Sequence, residues 1–379
     1  MVISGPVLGV IYHWAGGLAA ASFYIPYRVV RKWSWETYWL VGGFFSWIIA
    51  PFVLASLLVP HLFEIFWNSR LENLVWAYAF GVLWGIGGLT FGLTMRYLGV
   101  ALGMAVALGF CAAFGTLMPP IFTGEIEKIL SESSGRAILV GIAVCLLGIA
   151  ISGIAGVFKE RELTDEEKKA AVKEFDLVKG LLVAVFSGVM SASFAYGLAA
   201  GKPIAKLAAT QLAQNGRADL WQNLPVLVIV LLGGFTTNFI WCAILNIRNK
   251  SGREYVSSRS SVIITQESVA ASTSREEDSP TRIPLFKNYI FSALAGVIWY
   301  MQFFFYSMGQ TKMGRYEFSS WTLHMASIII FATLWGLAFR EWAGTSRRTH
   351  WLIALGTLAL IFSTIIVGYG NFLRATLSY

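Results

Sequence analysis

The chain has 379 residues, 56% of them hydrophobic and only 13% charged, with a mean hydropathy of +0.63; soluble domains run at about 45–50% apolar and about 25% charged. That balance excludes a water-soluble globular protein and a disordered chain. The net charge of +8 is read as membrane topology and contact with anionic membrane lipid, with no nucleic acid as partner.

Runs of about 20 apolar residues give ten segments, near 3–25, 38–59, 74–94, 98–122, 136–157, 178–200, 221–246, 286–308, 318–339 and 350–371. The expected class is therefore an all-α integral membrane protein with ten transmembrane helices. Segment 1 lacks a basic leader and a small-residue cleavage site and carries His13, so it reads as a retained helix. The connections after segments 1, 3, 5, 7 and 9, with the helix ends flanking them, hold 20 of the 29 Lys and Arg residues. Basic residues stay on the cytoplasmic side, which puts those five connections inside and both termini on the outward face of the membrane.

Glu36 stands at the entrance of segment 2, behind Trp33-Ser34-Trp35. In segments 3 and 4, Gly81, Gly85, Gly88, Gly92, Gly99 and Gly103 recur every three or four residues and offer a strip for close helix approach. Pro119-Pro120 is expected to end or kink segment 4. Cys111, Cys145 and Cys242 lie in apolar segments at spacings that suit neither a disulfide framework nor a metal site, and read as small packing residues. Residues 158–176 carry both charge signs and form the expected linker between two five-helix repeats, 1–157 and 177–379. Residues 248–284, rich in Ser with Glu276-Glu277-Asp278, are expected to form a mobile cytoplasmic loop, either a tether or a phosphorylation site.

The two halves echo each other. Gly81-Val82-Leu83-Trp84 matches Gly296-Val297-Ile298-Trp299 at an offset of 215, and Gly99 falls on Gly314. Gly9, Gly17, Ala21, Ser22 and Phe23 fall on Gly180, Gly188, Ala192, Ser193 and Phe194 at an offset of 171. Each echo joins segments five apart. Five is odd, so the copies cross the bilayer in opposite directions, the inverted-repeat plan of secondary transporters.

Polar groups inside a membrane are costly and so are candidates for function. None of the 21 carboxylates falls mid-segment; the titratable groups that do are His13 and His324. A histidine titrates near neutral pH and can carry a proton. Glu317, Trp321 and His324 are spaced i, i+4, i+7, which on an α-helix is one face. Trp299, Gln302 and Tyr306 share a face of segment 8, and Asn238 in segment 7 is a second isolated amide. Aromatic plates with amides suit a sugar, whose C–H face stacks and whose hydroxyls need partners. An amide that simply glues helices together is the alternative. There is no phosphate-binding Gly-Lys loop, no metal-ligand spacing and no pair of mid-membrane acids, so an ATP-driven pump and an intramembrane hydrolase find no support, and no cofactor or metal is expected. An exporter or exchanger of another metabolite, or a sensor without flux, stays open at this point.

Phe23-Tyr24-Ile25-Pro26-Tyr27 running into Lys32-Trp33-Ser34-Trp35-Glu36-Thr37, and Trp84-Gly85-Ile86-Gly87 followed by Gly92-Leu93-Thr94-Met95-Arg96-Tyr97-Leu98-Gly99, resemble the L-rhamnose–proton symporter family of the drug/metabolite transporter superfamily. Trp299-Tyr300, Gln302-Phe303-Phe304-Phe305-Tyr306, Ser320-Trp321 and Leu323-His324-Met325 resemble its C-terminal half. The resemblance implies ten helices, a bacterial inner-membrane location, so that the outward termini are expected to be periplasmic, and uptake of a 6-deoxyhexose with a proton. It carries His13, Glu36, Asn238, Gln302, His324 and Lys202-Pro203 onto family-like places. Gly88, where the family pattern has Asn, and Glu317, where it has Asp, depart from it. The expected proton-coupling residues are His13, His324, Glu317 and Glu36. The expected sugar contacts are Trp299, Gln302, Tyr306, Trp321, Asn238, Tyr24 and Trp84.

Overall fold

The computed structural model describes residues 5–98, 100–162, 176–258 and 283–377, and all regular structure among them is helical. Among the described residues ten helices are long and apolar enough to cross a membrane: α1 (Gly5–Tyr27), α2 (Trp35–Leu58), α3 (Leu71–Met95), α4 (Leu102–Phe122), α5 (Ser133–Glu162), α6 (Leu177–Ala200), α7 (Asp219–Asn249), α8 (Leu285–Lys312), α9 (Gly314–Ala338) and α10 (Arg347–Thr376). They coincide one for one with the ten apolar segments, and the chain is a multi-pass membrane protein. Most of the 158–176 linker and of the 248–284 loop lies outside the described residues.

Prolines account for the irregularities of α1 and α2. Pro26 has no N–H to give to the carbonyl of Ser22, and α1 breaks at Phe23 before one more turn, Tyr24–Tyr27. Pro51 leaves the Trp47 carbonyl without its donor, and the turn Phe45–Ile49 widens to a π-helix, with the Ala50 N–H reaching back to Phe45. Pro119 and Pro120 neither end nor break α4 where they stand; the helix runs on to Phe122. The chain turns only at Gly124, whose φ of +71° suits a residue without a side chain.

Close backbone crossings assemble the bundle, and the echoed glycines make them. A Cβ on Gly81 of α3 would run into the Val230 carbonyl of α7, and one on Gly296 of α8 into the Gly42 carbonyl of α2. Gly17 of α1 lies against Ser327 of α9, and Gly188 of α6 against the Ala107 carbonyl of α4. Gly9 meets Lys312 and Met313 at the end of α8, and Gly180 meets Tyr97 and Leu98 at the end of α3. The ring of Phe23 lies 4.1 Å from that of Trp299, and Phe194 lies 5.3 Å from Trp84. The most extensive contact joins α5 to α10, followed by α3 to α6; α1 packs on α8 and α9 as α6 packs on α3 and α4.

Side chains tie the helices at both ends. Where α1, α3, α5, α7 and α9 finish, the buried Glu254 carboxylate accepts from the N–H and the hydroxyl of Ser34, each at 2.7 Å. Asn288 exchanges two hydrogen bonds with the Arg31 backbone, at 2.8 and 3.1 Å. Arg28 pairs with Glu341 at 3.3 Å. At the opposite end Lys202 pairs with Glu317, Lys312 with Asp219 at 3.1 Å, and Glu132 accepts from Tyr316 and from Arg315 at 2.9 Å.

Candidate functional site

Three helices bring the titratable groups together. His13 of α1, Tyr306 of α8 and His324 of α9 form a triangle of rings with centroids 5.3 Å (His13 to Tyr306), 5.2 Å (Tyr306 to His324) and 6.4 Å (His13 to His324) apart. All three residues are buried. Glycines let them meet: a Cβ on Gly309 of α8 would stand 2.8 Å from His13 Cε1 and Nε2, and one on Gly16 of α1 would stand 3.3 Å from His324 Cε1. A side chain at Gly309 would displace the His13 ring.

Gln302 completes the polar centre. Its Oε1 lies 3.4 Å from His324 Nε2, and since a carbonyl oxygen only accepts, the imidazole is the donor in this arrangement. The other faces have no hydrogen-bond partner among the described residues: both ring nitrogens of His13, Nδ1 of His324 and Nε2 of Gln302 are buried and unpaired. An unmatched buried polar group costs about 1–3 kcal/mol. Four within one small volume form a chemical environment built to receive a polar partner.

Aromatic rings wall this centre. Trp321 donates through Nε1 to the Cys111 carbonyl of α4 at 3.0 Å, which fixes the indole plane. Phe194 of α6 stacks on it with centroids 5.5 Å apart and 25° between planes, and Tyr306 meets it edge-on at 5.7 Å. The wall continues from Phe194 to Trp84 of α3 at 5.3 Å and on to Trp47 of α2 at 6.4 Å. Beside Trp47 and Trp299 lies a cavity of about 10 Å³, room for about one water. Ser46 Oγ and the indole N–H groups of Trp47 and Trp299 are unpaired as well, whereas the third indole of the lining, Trp39, has a partner.

A family model described as L-rhamnose-proton symport protein (RhaT) matches residues 3–372. The chain belongs to this family. Proteins named L-rhamnose-proton symporter from Yersinia pestis (strain Pestoides F) and Yersinia pseudotuberculosis serotype O:1b (strain IP 31758) are each 36% identical to it over 367 residues, covering 96% of this chain and 98% of the relative.

The residues picked out by sequence fall into three places. His13, His324, Gln302, Tyr306 and Trp321 converge, with Trp84 joined to them through Phe194 and Trp299 through Phe303, which lies 5.9 Å from Trp299 and 4.8 Å from Phe194. Asn238 and Tyr24 sit in another aromatic group: Asn238 accepts from Trp39 Nε1 at 3.2 Å and donates to the Gly234 carbonyl at 2.9 Å, while Tyr24, 53% exposed, lies 6.4 Å from the Trp39 ring. The two carboxylates are at the ends of the bundle. Glu36 accepts from Ser251 at 2.7 Å and Asn249 at 3.0 Å. Glu317 does not continue the Trp321 and His324 stripe, because Gly314–Ser319 is a 3₁₀ segment kinked at Tyr316 and the α-helix begins only at Ser320. Its carboxylate turns to Lys202 instead. Sequence reading passed over Phe194 and Trp47; Phe194 carried a signal, as the echo of Phe23, whereas Trp47 carried none.

Proposed function

We propose that this chain imports L-rhamnose, or a closely similar 6-deoxyhexose, together with a proton by alternating access. The observation that carries the proposal is the buried meeting of two imidazoles, one amide and the Tyr306 and Trp321 rings, with four polar atoms unmatched. Membership of the symporter family and the names of the relatives support it, and they speak for a transporter and against an enzyme. In this reading His13 and His324 hold the proton. Gln302 and Tyr306 take sugar hydroxyls, and Trp321, Trp299 and Trp84 offer stacking faces, with Asn238 and Tyr24 on the route that leads away. Glu317 and Glu36 relay protons between the centre and the two faces of the membrane.

We further propose that residues 1–157 and 177–379 are inverted copies. The support is that echoed residues do the same work: Gly81 and Gly296, Gly17 and Gly188, Gly9 and Gly180, and the pairs Phe23 with Trp299 and Phe194 with Trp84 make equivalent contacts in the two halves. In this reading both termini lie on the periplasmic face of the bacterial inner membrane; the support is the excess of Lys and Arg in the connections after α1, α3, α5, α7 and α9, since basic residues stay cytoplasmic.

One charge moving down about 100 mV releases about 2.3 kcal/mol, enough for roughly fifty-fold accumulation. The test is uptake of labelled L-rhamnose into proteoliposomes with an imposed proton gradient. Accumulation that an uncoupler abolishes is expected; flux indifferent to both pH and uncoupler would leave a facilitator and remove the proton from the reading.

A further inference from the structure

Halfway along α2 and α8 lies a second set of unmatched polar atoms, away from the two imidazoles. The cavity of about 10 Å³ there is lined by Ser46 and Trp47 of α2, Trp299 of α8 and the rings of Phe23 and Trp39. Ser46 is 1% exposed and Trp47 4%. Ser46 Oγ, Trp47 Nε1 and Trp299 Nε1 have no hydrogen-bond partner among the described residues. The Trp39 indole is satisfied in the same lining, since it donates to Asn238 at 3.2 Å.

The local sequence accounts for the hollow. The turn Phe45–Ile49, widened to a π-helix ahead of Pro51, carries both Ser46 and Trp47, and such turns recur at functional sites. Glycines bring α2 and α8 together beside it without filling it: a Cβ on Gly296 would run into the Gly42 carbonyl, and one on Gly43 would stand 2.6 Å from the Trp47 ring. The rings form an arc, with Trp299 4.1 Å from Phe23, Phe23 6.3 Å from Trp39 and Trp39 6.1 Å from Trp47. Irregular helices near the middle of the bilayer are where secondary transporters hold their substrates.

The donor count names the ligand chemistry. An indole N–H only donates, so Trp47 and Trp299 need an acceptor, whereas a serine hydroxyl gives or takes. An ammonium has no lone pair to offer them. An anionic oxygen would carry its charge into a lining that holds no charged side chain, where it stays uncompensated. An alcohol oxygen accepts twice and donates once, which matches two indoles and Ser46 one for one. The space holds about one water, so it admits a single hydroxyl, and the aromatic arc faces the C–H side of the ring that carries it.

We propose that Ser46, Trp47 and Trp299 form a slot for one hydroxyl of the transported sugar, extending the site from α8 and α9 onto α2. The proposal rests on the sugar reading above and adds to it a residue set that selects one hydroxyl position. It is tested by calorimetric titration of the full chain in mild detergent with L-rhamnose and with analogues that each lack one ring hydroxyl. The parent is compared with Ser46→Ala and with Trp47→Phe, which keeps an aromatic ring and removes its N–H; the two variants alter the slot separately, so either one that folds serves as the test. One analogue is expected to bind the parent about tenfold or more weaker than L-rhamnose. In the variants that same analogue should fall within about threefold of L-rhamnose, while the other analogues keep their parental ratios. A side chain that only supports the fold lowers affinity for every sugar alike and cannot produce this coupling. No analogue singled out in the parent, or a uniform loss or no loss in both variants, would overturn the slot, leave the space to a water, and spare the sugar reading. A parent that binds no L-rhamnose would overturn both.

Discussion

Replacing Gln302 with leucine separates a substrate-binding amide from a structural one. The Gln302 side chain is buried, makes one long contact of 3.4 Å with His324 and leaves its Nε2 without a partner. A net hydrogen bond contributes about 0.5–1.5 kcal/mol, and an unmatched buried donor costs about 1–3 kcal/mol. The Gln302→Leu variant would relieve the unmatched Nε2 but leave the His324 Nε2 donor without its acceptor at a similar cost, so the empty protein should stay within about 2 kcal/mol of the parent. The loaded protein loses more, because a sugar hydroxyl that met the amide is now unpaired, at about 1–3 kcal/mol, or about 5- to 150-fold in affinity. Thermal unfolding in detergent with and without L-rhamnose, alongside uptake in proteoliposomes, reads both effects. A variant that melts well below the parent yet keeps its sugar affinity would refute the reasoning and make Gln302 interhelical glue.

Gly309→Ala places a methyl group 2.8 Å from two atoms of the His13 ring and 3.0 Å from the Gly9 carbonyl; overpacking of this kind costs about 1–3 kcal/mol, and proton-driven accumulation should fall far more than the helix content seen by circular dichroism. The Tyr316 hydroxyl, with Arg315 and Arg374 beside it, holds the Glu132 carboxyl below the usual carboxylate range. A depressed folded-state value contributes stability above the unfolded value of about 4.3, lost as pH falls through the folded one. The parent should therefore weaken in acid below about pH 4, and Glu132→Gln should show a shallower acid limb in pH-dependent unfolding.

Apolar run length placed all ten helices, because a bilayer demands about 20 apolar residues whatever the tertiary contacts. Helix starts were less legible. Segment 2 is expected from residue 38, yet α2 begins at Trp35, since the chain at Ser34 is fixed by Glu254, a residue far along the sequence. The same distance problem hid the closures: Arg28 with Glu341, Lys202 with Glu317 and Asn288 with Arg31 are long-range pairs with no local spacing to betray them. At the centre, His13, His324 and Gln302 were visible as isolated polar residues in apolar runs. Which of the candidate residues converge was not visible, and a six-residue 3₁₀ segment, Gly314–Ser319, was enough to send Glu317 elsewhere.

The two ends of the bundle are not equally easy to part. At the end holding Glu36 and Glu254, the ties between α2 and the chain after α7 are buried and charge-assisted: Glu254 accepts twice from Ser34 and Glu36 accepts from Ser251 and Asn249. Bonds of this kind are worth about 1.5–3 kcal/mol each. At the other end the ties from the α6–α7 stretch to α8 and α9 are exposed ion pairs, Lys202 with Glu317 and Lys312 with Asp219, whose Lys202 and Asp219 side chains are 55% and 59% accessible, while the Glu132 bonds to Tyr316 and Arg315 tie the start of α5 to α9; exposed pairs contribute about 0–1 kcal/mol. Opening at the Lys202 end is therefore the cheaper motion, and the empty protein should populate it first; in the proposed orientation that is the side from which an importer meets its sugar. Cysteines introduced at Trp321 and at Ser22 report on the two directions through their labelling by a membrane-impermeant thiol reagent. Faster labelling from the Lys202 side is expected in the parent, and Glu254→Ala should raise labelling at position 22. Equal rates at both positions in the parent would mean that the buried ties do not bias the cycle.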